Sequence, residues 1–137
     1  NPVGTDAKGR PYGLVRIGEA AEQPLAEFAA FVKRVLSCPG VRFSDAGKPV
    51  RKVAVGGGSC GSEIGDVIAA GCDTFVTADL KYNHFEEAKY RGLNLIDAGH
   101  FETENPVCDV LEGLLREAFP EIPVFRARAH RDETQFL

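Results

Sequence analysis

The 137-residue sequence contains no methionine and begins with Asn1. Because an unprocessed translation product starts with Met, we expect the chain to be a fragment or a processed form of a longer protein. No apolar run approaches the roughly 20 residues that a helix needs to span a bilayer. No segment resembles a signal peptide either. These absences predict that the chain does not enter a membrane.

Paired cysteines are also absent. The four cysteines are scattered along the chain, and no two of them form a C-x-x-C pair. Disulfide frameworks are typical of shorter secreted chains in which cysteine is much denser. We therefore expect reduced thiols and a cytoplasmic location.

Positive charge is scarce over most of the chain. The formal net charge is −4, and residues 53–137 carry 7 Lys or Arg against 15 acidic residues. A net-acidic body disfavours polyanions, so nucleic acid is a poor candidate partner. The hydrophobic fraction of 44% is ordinary for a globular domain of this length.

Short apolar strands alternate with helices along most of the chain. Residues 1–12 are rich in Gly and Pro and predict a linker or loop, and a single domain then spans 13–137. The patterns predict strands at 14–19, 50–55, 74–77, 93–97 and 123–128, with a further short strand before a turn at 46–49, and helices at 23–36, 62–70, 82–91 and 100–119. This alternation is typical of βαβ units. We therefore expect an α/β fold, with a mainly parallel sheet and helices on both faces.

The stretch VAVGGGSCGSEIG, residues 53–65, matches two motifs at once. Residues 56–61 fit the dinucleotide-binding pattern G-x-G-x-x-G, and residues 57–61 fit the G-x-S-x-G nucleophile elbow. A run of three glycines satisfies both patterns easily, so each remains a weak alternative. We interpret the stretch as a strand-to-helix turn in which Gly57, Gly58 and Ser59 offer backbone N–H groups to an anionic substrate.

An imidazole and a carboxylate share one helical face in LIDAGHFETEN, residues 95–105. His100 and Glu104 stand at positions i and i+4, so their side chains project from the same side of the helix. Such a pair can bind one metal ion or two adjacent ions, although it can also form a plain surface hydrogen bond. Asp79 and Lys81 follow the preceding strand, so we expect them at the same sheet edge, where they are candidates to support a metal ligand or to contact the substrate.

Three segments, VRKVAVGGGSCGS, AAGCDTFVTADLKY and GLNLIDAGHFETEN, occur in this order. Together they resemble the carboxyl-terminal half of the Nif-three-like dinuclear-metal-centre proteins, which are also called GTP cyclohydrolase I type 2 homologues. The resemblance covers residues from about 13 to 137, and DAGHFETE is its most specific element. It implies that this chain is one lobe of a two-lobed fold in a homo-hexameric ring.

The resemblance also implies a site for two divalent metal ions, such as Zn, Fe, Mn or Mg. The G-H-x-x-x-E element of the family falls on His100 and Glu104, which makes them the implied metal ligands. The other family ligands, adjacent histidines and an aspartate, lie in the amino-terminal half. This chain contains no adjacent histidines. We therefore expect the isolated chain to bind metal weakly or not at all.

Joined to the missing half, the chain is expected to act as a di-metal hydrolase on a nucleotide such as GTP. A water whose pKa the metals lower would be the nucleophile. The alternative is a non-enzymatic, metal-responsive scaffold or regulatory ring that binds a protein or nucleic acid. The sequence identifies no catalytic residue beyond the implied metal ligands.

Overall fold

A computed structural model describes residues 4–137. The strands are β1 (Gly4–Thr5), β2 (Pro11–Tyr12), β3 (Arg16–Gln23), β4 (Arg42–Ser44), β5 (Val50–Val55), β6 (Thr74–Thr77) and β7 (Asn94–Asp97). The helices are α1 (Leu25–Leu36), α2 (Ile64–Ala69), α3 (Tyr82–Tyr90), α4 (His100–Glu104) and α5 (Val107–Ala118), and a 3-10 turn, Gly61–Glu63, precedes α2. None of the helices in this part of the chain has the length and apolar character that crossing a bilayer requires.

Five strands form one sheet in the order β3-β5-β6-β7-β4. The central strands β5, β6 and β7 are parallel, whereas β3 and β4 run antiparallel to their neighbours. The α/β class agrees with the sequence prediction, but the sheet is mixed, and only its centre is parallel. The pattern of parallel strands joined by helices holds for the continuous run from β5 to β7. The edge strands β3 and β4 lie outside this run, because each pairs in antiparallel fashion with its neighbour.

The first described residues fold into a hairpin. Residues 4–12 lie in the segment that the sequence predicted to be a linker or loop, yet β1 and β2 pair there in antiparallel fashion. The carboxylate of Asp6 closes the turn by accepting the N–H groups of Lys8 and Arg10 at 2.8 and 2.9 Å. The prediction for residues 1–3 lies outside the described residues, and the domain boundary at residue 13 stays a prediction.

Two apolar clusters cover the two faces of the sheet. Because successive strand residues point to opposite faces, neighbours such as Phe75 and Val76 belong to different clusters. One cluster joins α1 to the sheet through Leu25, Phe28, Ala29, Val32, Val53, Val76 and Ile96. The other joins α2 and α3 to the sheet through Ala54, Ile64, Val67, Phe75, Ala88 and Leu95. The sheet is therefore covered by α1 on one face and by α2 and α3 on the other.

The carboxyl-terminal part departs from the sequence prediction in two places. The helix predicted over 100–119 is two helices, α4 and α5, because Pro106 has no N–H and interrupts the hydrogen-bond ladder. The strand predicted over 123–128 does not form. Instead, the carbonyl of Val124 accepts a hydrogen bond of 3.0 Å from the guanidinium of Arg116 in α5. The sheet edge beside β7 is occupied by β4, so this segment follows α5.

Candidate metal centre

The carboxyl ends of β5, β6 and β7 meet at one edge of the sheet, because these three strands are parallel. The loop after β5 is tied to the end of β6 through Gly58. Its carbonyl accepts the buried Thr77 hydroxyl at 2.9 Å and the Ala78 N–H at 3.0 Å. The loop after β5 is therefore held in a single position relative to the neighbouring strand.

Asp97, the last residue of β7, holds the loops after β6 and β7. Its buried carboxylate accepts the N–H of Leu80 at 3.0 Å and the N–H of Gly99 at 3.2 Å. Arg42 of β4 pairs with the same carboxylate and also donates to the Leu80 carbonyl at 2.8 Å. The buried Asp97 side chain thus fixes the positions of Leu80 in the loop after β6 and Gly99 in the loop after β7.

His100 lies at the centre of an exposed polar cluster. Its Nδ1 is 2.6 Å from Oδ2 of Asp79, and its Nε2 is 3.3 Å from Oε1 of Glu104. All three side chains are about half exposed. Asp79 has a φ of 53°, a left-handed conformation that Asp adopts more readily than most residues. That conformation directs the residue after β6 towards the first turn of α4.

The hydrogen bond with Asp79 determines the chemistry of the His100 ring. It raises the pKa of His100, and partial desolvation opposes this rise. Because an ionised carboxylate only accepts hydrogen bonds, Nδ1 of His100 is the protonated nitrogen. In the neutral ring, Nε2 then keeps a lone pair on the side of Glu104. Metal-ligating histidines commonly have this arrangement, with a carboxylate on the other ring nitrogen.

The glycine loop lets these two donor atoms approach its backbone closely, because Gly58 carries no side chain. Gly58 has a φ of 64°, and a Cβ there would collide with Oε1 of Glu104 and lie 3.1 Å from Nε2 of His100. A Cβ at Gly57 would lie 3.2 Å from the Thr103 carbonyl oxygen. The two donors fit part of a metal site. No group of three His, Cys, Asp or Glu side chains within residues 4–137 is arranged to hold an ion.

Two predicted site residues, Lys81 and Ser59, stand apart from this cluster. Both are exposed, and in the described part of the chain no hydrogen bond or ion pair joins their side chains to His100 or Glu104. The N–H of Lys81 is 3.2 Å from Nδ1 of His84, at the start of α3. The roles of Lys81 and Ser59 in binding a substrate stay predictions.

The sequence analysis missed two threonines that fix the loop. The Gly58 N–H donates to Oγ1 of Thr103 at 2.9 Å, and the Thr103 hydroxyl donates to the Gly99 carbonyl at 2.8 Å. Thr77 binds the same loop from the other side. A sequence signal existed for Thr77, since a polar residue that ends the apolar strand TFVT needs a partner when it is buried. Thr103 had no such signal.

A comparison with protein families matches residues 4–133 to Duf34/NIF3 (NGG1p interacting factor 3). The chain belongs to this family. A NIF3 relative from Nostoc sp., named GTP cyclohydrolase 1 type 2 homolog, is 40% identical over 95 residues, which cover 67% of this chain and 36% of the relative. A Bacillus subtilis protein of the same name is 43% identical over 91 residues, covering 65% of this chain and 24% of the relative. The match therefore spans about a third or less of these curated relatives.

Solved structures of similar proteins share the fold. A crystal structure of a Staphylococcus aureus protein has a TM-score of 0.85 at 32% identity, covering 93% of this chain and 38% of that chain. A Bacillus cereus protein related to NIF3 has a TM-score of 0.79 at 32% identity, covering 94% of this chain and 37% of that chain. The NIF3 family predicted from the three sequence segments is thus confirmed.

Proposed function

We propose that His100 and Glu104 bind a divalent metal ion and that Asp79 orients His100 for this role. The supporting observation is the pair of donor atoms, Nε2 and Oε1, which lie 3.3 Å apart and pack closely against Gly58, where a side chain would displace them. The proton held on Nδ1 by Asp79 leaves Nε2 as the ligand atom. An imidazole with a carboxylate suits Zn, Fe or Mn better than Mg, which prefers oxygen ligands.

The activity that we propose is hydrolysis of a nucleotide such as GTP, the compound in the names of the curated relatives. His100 and Glu104 would hold a divalent ion that lowers the pKa of a bound water molecule. The glycine loop would bind the anionic part of the substrate. Gly58 already donates its N–H to Thr103. The amides of Gly57 and Ser59 accordingly take this role, since neither has a hydrogen-bond partner among residues 4–137.

A complete site needs protein from outside this chain. The remaining ligands, and with them a second ion, would come from an amino-terminal half, in a homo-hexameric protein of the cytoplasm. Support comes from α5, in which no residue is buried. Its apolar side chains are 45–60% exposed: Val107, Val110, Leu111, Leu114 and Leu115. An amphipathic helix of this kind needs a further protein surface to cover its apolar side.

Metal analysis of the full-length protein tests the ligand assignment. We expect His100→Ala and Glu104→Gln each to lose most of the bound metal, because each removes a donor atom of the pair. His84→Ala is the matched control, since it removes an imidazole that lies against Gly61 and outside the donor pair. Metal content that is unchanged in His100→Ala would refute the assignment.

Turnover of GTP by the metal-stripped and the metal-restored protein tests the activity. We expect product only after the metal is restored, and none from metal-restored His100→Ala. Equal turnover in both states, or none in either, contradicts the hydrolase. The alternative would then be a metal-responsive scaffold that binds a partner molecule.

A further inference from the structure

Glu102 is a buried acidic residue that the proposed metal centre does not use. It is 8% exposed, and its carboxylate lies against Gly99, where a Cβ would collide with Oε2. Within residues 4–137, no hydrogen bond or ion pair reaches this carboxylate. Its carboxylate oxygens stay accessible from the cavity beside α4, since Oγ of Ser44 is the one fully buried side-chain oxygen or nitrogen without a hydrogen-bond partner among residues 4–137. A group from outside the chain that enters this cavity can therefore reach the Glu102 carboxylate.

The Glu102 side chain lines a cavity of about 200 Å³ next to His100. The cavity lies between α4, the start of β4 and the carboxyl-terminal segment 132–136. This segment is held at both ends, because the His130 ring is 5.0 Å from the Phe101 ring and the Phe136 ring packs on Gly40. A Cβ at Gly40 would be only 3.2 Å from Phe136.

The charge in this cavity favours a cationic ligand. Its lining contains four carboxylates: Asp79, Asp97, Glu102 and Asp132. Arg42 pairs with Asp97, and His100 pairs with Asp79. In the described part of the chain, Glu102 and Asp132 have no cationic partner. At least two negative charges thus remain uncompensated in a small space.

We propose that this cavity binds a planar organic cation of the guanidinium class, with Glu102 as its central acceptor. The flat fork of N–H donors on a guanidinium matches a carboxylate in bidentate geometry. Phe101 and Phe136 line the same cavity and provide aromatic surface for the cation. The proposal does not depend on a metal at His100 and Glu104.

A titration of the chain with methylguanidinium, in the presence of EDTA, tests this inference. Amide chemical shifts of Gly40, Gly99 and Thr134 report on the cavity, and NaCl at equal ionic strength is the reference. We expect saturable shifts at these amides with methylguanidinium only. Glu102→Gln should weaken binding about tenfold or more, since a charge-assisted hydrogen bond to a buried carboxylate is lost.

Three controls make the result decisive. Glu121→Gln removes an exposed carboxylate that lies outside the cavity lining and should bind like the wild type. Asp132→Asn, in the exposed terminal segment, should weaken binding and guards against a folding defect in Glu102→Gln. Guanosine presents a similar donor edge without the charge and should not bind. Shifts that NaCl reproduces, unchanged binding by both acidic-site variants, or binding of guanosine in place of methylguanidinium would overturn the proposal.

Discussion

Replacing Gly58 with alanine separates backbone strain from obstruction of the proposed metal site. Gly58 has a φ of 64°, and the left-handed conformation costs an L-residue about 1–2 kcal/mol. Alanine also restricts the unfolded chain, which offsets about 0.4–1 kcal/mol of that cost. The backbone alone should therefore lower the free energy of unfolding by about 1 kcal/mol.

The new methyl group has a second and local effect. It would overlap Oε1 of Glu104 and lie 3.1 Å from Nε2 of His100, so at least one donor atom must move away. Changes that misplace a ligand without removing it typically weaken metal binding about 10–100-fold. We expect a loss of this size in the metal affinity of the full-length Gly58→Ala protein.

Gly47→Ala is the matched control. Gly47 has a φ of 76°, and no atom lies within 4 Å of a Cβ built there. Urea denaturation gives the free energy of unfolding, and competition with a chelator gives the metal affinity. Both variants should lose similar stability, and only Gly58→Ala should lose metal affinity. An unchanged metal affinity in Gly58→Ala would refute the binding of an ion beside Gly58. An equal loss of metal affinity in Gly58→Ala and Gly47→Ala would refute the role assigned to the methyl group at position 58.

Thiol chemistry and a buried amide allow further tests. Burial raises the pKa of three thiols: Cys38, Cys60 and Cys72. At about pH 8, below the usual thiol pKa, iodoacetamide should modify partly exposed Cys108 alone, and modification of a second thiol before unfolding would contradict this. Because these thiol pKa values are higher in the folded than in the unfolded chain, the stability that they contribute is complete below the unfolded thiol pKa of about 8.5. That stability is lost as the pH rises through the folded pKa, so the urea midpoint of unfolding should fall over this pH range. Asn94 is fully buried, accepts the Ala46 N–H at 3.0 Å and donates to the Lys48 carbonyl at 2.9 Å. Asn94→Ala should therefore cost about 2–4 kcal/mol of unfolding free energy, against roughly 0.5 kcal/mol or less for exposed Tyr90→Ala.

Sequence periodicity was sufficient for the centre of the sheet. The apolar strands and the helices between residues 50 and 97 predicted β5, β6 and β7, because β6 and β7 are buried on both faces and β5 contributes buried residues to both apolar clusters. The edge strands were harder, because β3 and β4 carry exposed residues and their direction depends on which neighbour they pair with. The break at Pro106 had a local sequence signal, but the helical spacing on either side of it concealed the break.

The sequence by itself determined the family and the pairing of His100 with Glu104, because the i and i+4 positions of a helix meet whatever the rest of the fold does. Only the tertiary structure decided the rest of the cluster. The contact between Asp79 and His100 joins positions 21 residues apart, and the bond between Gly58 and Thr103 joins positions 45 apart. Such contacts depend on strand order, register and loop conformation, which no local pattern encodes. The cavity at Glu102 likewise exists only because the carboxyl-terminal segment folds back over α4.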